Sequence, residues 1–494
     1  MDEAAGRSRP VDFDTATAVH RKRRRPLRGE VVSALEKAVG PEHVLSGRTA
    51  LEVYARDSWP LAALRVHHGA ELPLPDVVVL PGGVAEVSAV LEILYEHEVP
   101  VIPYGGGSGV LGGTLPVSGG VVVDVKRLDR VLEINDEGLY VTAQAGILAV
   151  DLERALARVG LTLGHFPQSV DVASLGGLIA TRSAGQFSTK YGNIEDMLLA
   201  LEVVLPGGKV VRTRLAPRSS TGPDVKNLFL GSEGTLGIVT EASLRVHPRP
   251  EKRETQSYEV ADFVKGLELI RRVMRTGLRP AVIRLYDPIE TAHSFKGLAS
   301  QGRCLLLFVF EGFGRLVDLE ASAVDEICGP EAERQLGPEP GRHWLEHRNI
   351  VRALPEFMNQ NLVVDTLEVA ATWDRVADLY RTMTERMLKV KGIISASAHS
   401  SHSYTQGTNL YITFVALGPD LAAAERVYYE IWEAAMTACL EAGGTMCHHH
   451  GVGLHRTRWM PAEHGEALEV LRRLKEALDP KGLMNPGKLF GEVD

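Results

Sequence analysis

"VPVIPYGGGSGVLGGTLPVSGGVVVDV", residues 99–125, reads as a buried strand, a glycine-dense loop and a second buried strand. Gly107, Gly109 and Gly112 satisfy GxGxxG, but that fingerprint needs a helix N-terminus to receive a pyrophosphate. Here Pro116 and the pair Gly119 and Gly120 come before the next β-branched run, and no helix starts there. A doubly wound dinucleotide fold is therefore disfavoured. A loop this rich in glycine exposes successive backbone N–H groups without Cβ obstruction, and such a concave nest suits a pyrophosphate. The plainer alternative is a glycine-rich turn, although tight hairpins need far fewer glycines.

Upstream of this stretch, "PDVVVLP" and then "VAEVSAVLEILYEHE" give a strand and an amphipathic helix. Downstream lie two further glycine-rich elements, "SLGGLIATRSAGQFSTKYGNIED" (174–196) and "GSEGTLGIVTEASL" (231–244), which offer small residues and hydroxyls where backbone could approach a flat ligand. With the short runs "EVVLP", "KVVRTRL" and "GIVTEASLRV" they make an α+β domain ending near Pro250, where "HPRPEKRE" reads as a linker. Beyond it the strands "AVIRLYD", "CLLLFVFEG", "LVVDTLEVA" and "LYITFVAL" alternate with helices. In "WDRVADLYRTMTERMLKV", Trp373, Val376, Leu379, Tyr380, Met383 and Met387 share one helical face. An antiparallel sheet with helices on one side is the natural packing.

The 494 residues exceed one ordinary core. Composition, with 45% hydrophobic and 24% charged residues, is that of a soluble globular protein. A net charge of −9 disfavours a general nucleic-acid binder. The exception is "HRKRRRPLR" (20–28), either a solvated arm or a contact for phosphate or anionic lipid. Cys304, Cys328, Cys439 and Cys447 form no CxxC pair, which fits free thiols in a reducing cytosol. "MDEAAGRSRP" lacks an apolar signal core, and no stretch approaches the ~18 apolar residues of a membrane span. The expectation is a cytoplasmic protein.

Near the C-terminus, "CHHHGVG" (447–453) places three histidines in a row. Adjacent residues on an extended segment point to opposite faces, so His448, His449 and His450 are not expected to converge on one ion. A metal site, a set of satisfied polar residues under a lid, and a catalytic cluster are the three readings open to this run.

"PYGGGSGVLGG", "SLGGLIATRSAG", "YGNIED", "STGPDVKNLFLGSEGTLGIVTEA" and "LDPKGLMNPGKLF" together resemble the vanillyl-alcohol oxidase (PCMH-type) flavoproteins, over residues 50 to 490. The resemblance implies an α+β fold with an FAD-binding domain of two subdomains over 46–250. A substrate (cap) domain over 251–435 and a C-terminal segment, 436–494, returning to the FAD domain would complete it, after a basic arm and leading helix over 1–45. By the same resemblance FAD would contact Pro103, Tyr104, Gly105, Gly106, Gly107, Ser108, Gly109, Val110, Gly112 and Gly113. Further contacts would come from Pro167, Gln168, Ser169, Ser174, Gly177, Thr181, Ser183, Ala184, Gly185, Glu233, Thr235, Gly237 and Ile238. The first loop has no histidine of the kind that tethers FAD in some relatives, so the flavin is expected to be non-covalent.

Members that oxidise D-2-hydroxy acids carry two histidines and a glutamate for a divalent metal. Here His402 matches the first position, Tyr411 replaces the second histidine and His449 replaces the glutamate, so no metal is assigned. A tyrosine followed by HHHGVG, with "ATRSAG", "KYGNIED" and "STGPD", is similar to the alkyl-dihydroxyacetone-phosphate synthases. That branch exchanges the acyl group of 1-acyl-dihydroxyacetone phosphate for a fatty alcohol through an adduct at flavin N5, with no net redox change. Carried over, Tyr411 is the base, with His448, His449 and His450 around it, and imidazolium character would lower its pKa. Arg284 matches an active-site arginine, and Arg352 is a weaker candidate for the substrate phosphate. An FAD-linked oxidase or dehydrogenase of a 2-hydroxy acid or alcohol is the alternative, and a flavin-containing interaction protein docking through the arm is a third. A lipid-like or hydroxy-acid substrate, a peripheral membrane contact and a homodimer are expected.

Overall fold

The computed structural model describes Phe13, residues 27–350 and residues 354–490. Arg352 and most of the basic arm lie outside the described residues. Three sheets organise the chain. In the first, Val77–Val79 and Val101–Tyr104 flank Val121–Asp124, all parallel, with Val44–Leu45 antiparallel at the edge. Their valines are buried on both faces, as parallel strands require. Helix Val84–Glu96 lays Val87, Val90, Leu91 and Leu94 on this sheet. A parallel connection ordinarily carries a helix. Between Val101–Tyr104 and Val121–Asp124 the glycine loop makes that crossover with no helix.

The second sheet is antiparallel, in the order Val131–Asn135, Tyr140–Gln144, Ile238–Arg245, Leu198–Val204, Val210–Arg212. The third has seven antiparallel strands, centred on Cys304–Gly312, Val282–Tyr286, Ile393–Ser400 and Gly407–Leu417, with Leu362–Thr372 outermost at one side. Period-2 alternation divides its faces. Leu410, Ile412, Phe414 and Ala416 point to helices Val376–Met387 and Leu421–Glu441, where each large side chain contributes about 1.5–3 kcal/mol. Tyr411 and Thr413 point the other way.

Local differences from the sequence reading have plain causes. The expected linker is short, because Lys252–Val260 is already a strand paired along its whole length with Cys304–Gly312. Seven of its nine residues, all but Tyr258 and Val260, are charged or polar, so no apolar run announces it. Trp373 precedes its helix, whose first residue is Val376. Ile393–Ser400 was not among the expected strands: "IISASAHS" is too small and polar to signal one, yet both its neighbours supply ladder partners.

The C-terminal segment returns to the first sheet. Val101 N donates to Leu483 O at 2.8 Å and Asn485 N to Val101 O at 2.7 Å. Asn485 Nδ2 donates to Gly113 O and Glu233 O at 3.0 and 2.7 Å, tying this return to the glycine loop.

Candidate active site

Cross-strand register builds the centre of the site. Tyr286 pairs with His399, His399 with Tyr411, and Tyr411 with Glu368, so four directly opposed residues form one row across four strands. Directly opposed residues share a face. Arg284, two residues before Tyr286, joins that face and donates from Nε to Tyr286 Oη at 2.6 Å. Tyr411 shares a hydrogen bond of 2.9 Å with Thr366 Oγ1 and stacks on His399 at 4.8 Å between ring centroids. His399 contacts Glu290 Oε2 through Nδ1 at 2.8 Å.

The histidine run approaches from the C-terminal loop, and Glu368 shapes it. This glutamate is fully buried, and its Oε1 accepts the successive backbone N–H groups of His448, His449 and His450 at 3.2, 3.0 and 2.7 Å. Arg456, also fully buried, donates to the same carboxylate at 3.1 and 2.6 Å. Burial alone would raise the Glu368 carboxyl, but Arg456 and His450 outweigh it and hold it well below the ordinary range. A second buried carboxylate, Glu233, accepts Val452 N and Gly453 N at 2.6 and 2.7 Å.

Because three N–H groups turn onto one oxygen, the run is bent, and the extended geometry assumed from sequence does not apply. His448 and His449 meet Nδ1 to Nδ1 at 2.8 Å, and with His402 each offers a ring nitrogen within 4.8 Å of the others. Two adjacent histidines therefore converge with a third from another segment, although the three of the run do not converge together. His450 is separate: its Nδ1 lies 3.1 Å from Glu368 Oε2, off the line of a hydrogen bond, and its ring is edge-on to Tyr411 at 5.4 Å. His402 and His448 are anchored outward, by Ser188 Oγ at 2.7 Å and Tyr404 Oη at 2.7 Å.

The electrostatics correct a second expectation. Burial pushes His448 down to about 4, and burial with neighbouring imidazoles holds His402 and His449 well below the ordinary value. At neutral pH these three are neutral. Tyr411 is raised above the usual phenol value by burial, with the Glu368, Asp365 and Glu290 carboxylates adding to the rise. The resting site thus holds a phenol beside the neutral rings of His402, His448 and His449, so His449 supplies no imidazolium to a phenolate there.

The glycine loop meets a simple test for a pyrophosphate. A Cβ on Gly105 or Gly106 would strike Ser174 Oγ or Val172 O at 2.1 or 1.8 Å, and one on Gly107 would strike Tyr104 Oη at 2.1 Å, so those glycines serve packing. At Gly109 and Gly113 a Cβ would meet nothing nearer than Asp57 Oδ2 at 3.5 Å or Glu233 Oε2 at 3.9 Å, and neither has a positive φ. Packing does not demand glycine at either place; a ligand lying on the backbone does. The N–H groups from Gly105 to Gly112 donate to no acceptor among the described residues. These open donors suit a diphosphate.

Around the loop, Ser174 caps helix Leu175–Thr181 by accepting Gly177 N at 3.3 Å, and Thr181 Oγ1 donates back to Gly177 O at 3.0 Å. Ser183, Ala184 and Gly185 follow as buried residues, and Pro167, Gln168 and Ser169 lie on the preceding loop. Thr235 Oγ1 donates to Ser232 O at 2.6 Å, Ile238 packs in the first core, and Gly237 lies against Val204 O. What these positions offer a cofactor is backbone. Glu368, Arg456, His399, Glu290 and Tyr404 were not singled out from sequence. A lone glutamate in the apolar strand "LVVDTLEVA" was the one available signal, since a buried carboxylate requires a partner.

Comparison with known proteins completes this picture. Residues 75–214 match an FAD binding domain and residues 249–489 the C-terminal domain of FAD linked oxidases. The chain is 33% identical over 479 residues to an uncharacterized FAD-linked oxidoreductase, YgcU, of Escherichia coli K12, covering 94% of this chain and 98% of that protein. The chain belongs to the FAD-linked oxidase family. Within the family it is 33% identical over 467 residues to alkyldihydroxyacetonephosphate synthase of Dictyostelium discoideum, covering 87% of this chain and 76% of that one. A solved alkyldihydroxyacetonephosphate synthase superposes with a TM-score of 0.80 at 28% identity, covering 94% of this chain and 86% of that chain. The FAD-linked oxidase is an FAD-dependent enzyme of the PCMH-type superfamily, and its glycine loop and open N–H groups are those expected to hold the cofactor.

Proposed function

We propose that the protein is an alkyl-dihydroxyacetone-phosphate synthase-like enzyme, exchanging the acyl group of a 1-acyl-dihydroxyacetone phosphate for a fatty alcohol. One observation carries this reading: Tyr411, at the position matched to a histidine in the hydroxy-acid oxidisers, stands in the row between His399, with Arg284 and Tyr286 beyond it, and Glu368 with the histidine run. FAD supplies an electron-rich or electron-poor ring at which a substrate carbon can be activated. The chain's own residues handle protons. In the exchange the bond from carbon 1 to the acyl oxygen breaks and the bond to the alcohol oxygen forms; the alcohol gives up a proton and the departing carboxylate gains one. Tyr411, held by Thr366, is placed to exchange a proton at the carbon beside the ketone. Proton passage between Tyr411 and the neutral ring of His449, with His450 edge-on to the tyrosine, keeps charge from building up in a buried site.

The test is an anaerobic titration of the yellow protein with palmitoyl-dihydroxyacetone phosphate and then hexadecanol, without an electron acceptor. Loss of the flavin's visible absorption on adding the ester, restored by the alcohol, supports the synthase. No spectral response to the ester sinks it.

A second reading is favoured by the three neutral imidazoles of His402, His448 and His449, a ligand set suited to zinc. Under it the enzyme is a metal-assisted dehydrogenase of a 2-hydroxy acid, in line with the oxidoreductase relative. Flavin reduction by D-lactate that requires added Zn²⁺ and disappears in His402→Ala selects it.

A further inference from the structure

Three arginines stand beyond Arg284's end of the row with too little negative charge to match them. Arg253 bonds Glu311 through Nε at 2.6 Å, and the other Glu311 oxygen is taken by Tyr191 Oη at 2.6 Å. Both Glu311 oxygens are engaged, and among the described residues Glu311 forms no hydrogen bond or ion pair with Arg348. Arg348 donates to the neutral Gln186 Oε1 at 2.6 Å and lies over Phe166 and Phe187, at 5.3 and 5.2 Å from their centroids. Arg253 lies over the same Phe187 ring at 5.6 Å. Arg284, only 8% exposed, sits over Tyr286 and Trp344 at 5.2 Å each and forms no ion pair among the described residues. Of the other carboxylates nearby, Glu290 is committed to His399, Thr413 and Ser397, and Glu153, which lines the adjoining cavity, to Thr162 Oγ1, Leu163 N and Gly164 N.

Cations gathered on aromatic rings leave an excess positive charge, which is costly where Arg284 is buried and Arg348 half-buried unless an anion completes the group, with the exposed Arg253 at its outer side. Burial and the nearby Arg253 push Arg348 down to about 10, as expected of a guanidinium lacking a counter-charge. An opening exists. A cavity of about 500 Å³, with Val150, Ala157 and Leu161 on its apolar wall, is also lined by Phe166, Arg253 and Glu311, so it reaches the same ring and the same ion pair.

We infer that Arg348 and Arg253, with Arg284 toward the row, form the subsite for a phosphate monoester dianion of the substrate. This rests on the phosphorylated substrate of the proposed function and assigns its charged group to Arg348 and Arg253, which no motif marked, beside Arg284, which one did. Two guanidiniums not neutralised by Glu311 match the two charges of the dianion, and planar N–H pairs suit its oxygens.

The test uses the full-length, FAD-loaded protein and inorganic phosphate as probe, with binding followed by broadening of the phosphate ³¹P resonance. Saturable binding is expected, weakened tenfold or more in Arg348→Gln and in Arg253→Gln, and unchanged in Arg154→Gln, a cavity-rim arginine already paired with Asp151 at 2.9 Å. Flavin content reports whether each variant has folded; should Arg348→Gln fail, Arg348→Lys retains the charge without the paired N–H groups and is expected to bind several-fold more weakly. Equal phosphate affinity in wild type and either Arg348 variant overturns the inference, as does absence of saturation in the wild type. Displacement of phosphate by an equal concentration of D-lactate would reassign the subsite to carboxylates and also overturns it. Arg348-dependent phosphate binding with no flavin response to the acyl ester leaves the subsite standing and removes the synthase alone.

Discussion

At the scale of single residues, Tyr411 and Glu368 do opposite things from directly opposed positions. Under the proposed function Tyr411 exchanges the substrate's proton, and Tyr411→Phe is expected to retain FAD while lowering turnover by about 10²–10⁴-fold, the usual worth of a positioned proton donor or acceptor. Near-normal turnover in that variant removes the assigned role. Glu368 faces the histidine run and touches Arg456, so Glu368→Gln leaves a buried guanidinium without its counter-charge. Such a break costs about 3–5 kcal/mol, and the expected result is a large fall in the thermal midpoint together with lost activity. A variant as stable as wild type would show that the run is held by something else. Tyr411 was legible in the sequence through its motif. Glu368 was not, because its partners come from positions 80 and more residues away.

At the scale of elements, the glycine loop separates two uses of one residue type. Gly107 has φ of +63° and touches Tyr104, so a side chain there disturbs packing first. Gly109 has neither constraint. Gly109→Val is therefore expected to leave the fold intact, judged by circular dichroism, while lowering flavin occupancy several-fold, because the new methyls occupy space the cofactor needs. Full occupancy in Gly109→Val refutes the cradle. The loop from Cys447 to Gly453 is a comparable device, drawn into its bend by Glu368 and Glu233. Its histidines could be seen in the sequence, but their relative directions could not, since those depend on which backbone N–H groups find a carboxylate.

Across the whole molecule, the buried imidazoles link folding to pH. An unfolded chain takes up protons on histidine near about 6.5, whereas folded His448 resists until about 4. The unfolded state therefore binds more protons between these values, and stability falls as pH drops through that window. For His448 alone the loss is on the order of 3 kcal/mol. The thermal midpoint is expected to fall from pH 7 to pH 5, and less steeply in His448→Asn; an identical slope in that variant points away from the histidine. FAD is expected to leave the denatured chain entirely, because no histidine occupies the first loop. Flavin that stays with acid-precipitated protein contradicts this.

Sequence alone determined what depends on local pattern. Periodicity located the parallel strands and the helix between the first two, the glycine loop without a following helix disfavoured a doubly wound fold, and the resemblance carried by the ordered motifs implied FAD. Tertiary structure decided what depends on register and burial. Tyr286, His399, Tyr411 and Glu368 become neighbours only when four strands pair in one register, and a one-residue slip would send any of them to the opposite face. Burial then set the charges, leaving His402, His448 and His449 neutral and the tyrosine protonated, where the motif suggested imidazolium beside a phenolate. A side chain's protonation reflects the water removed from around it, and only the folded chain removes it.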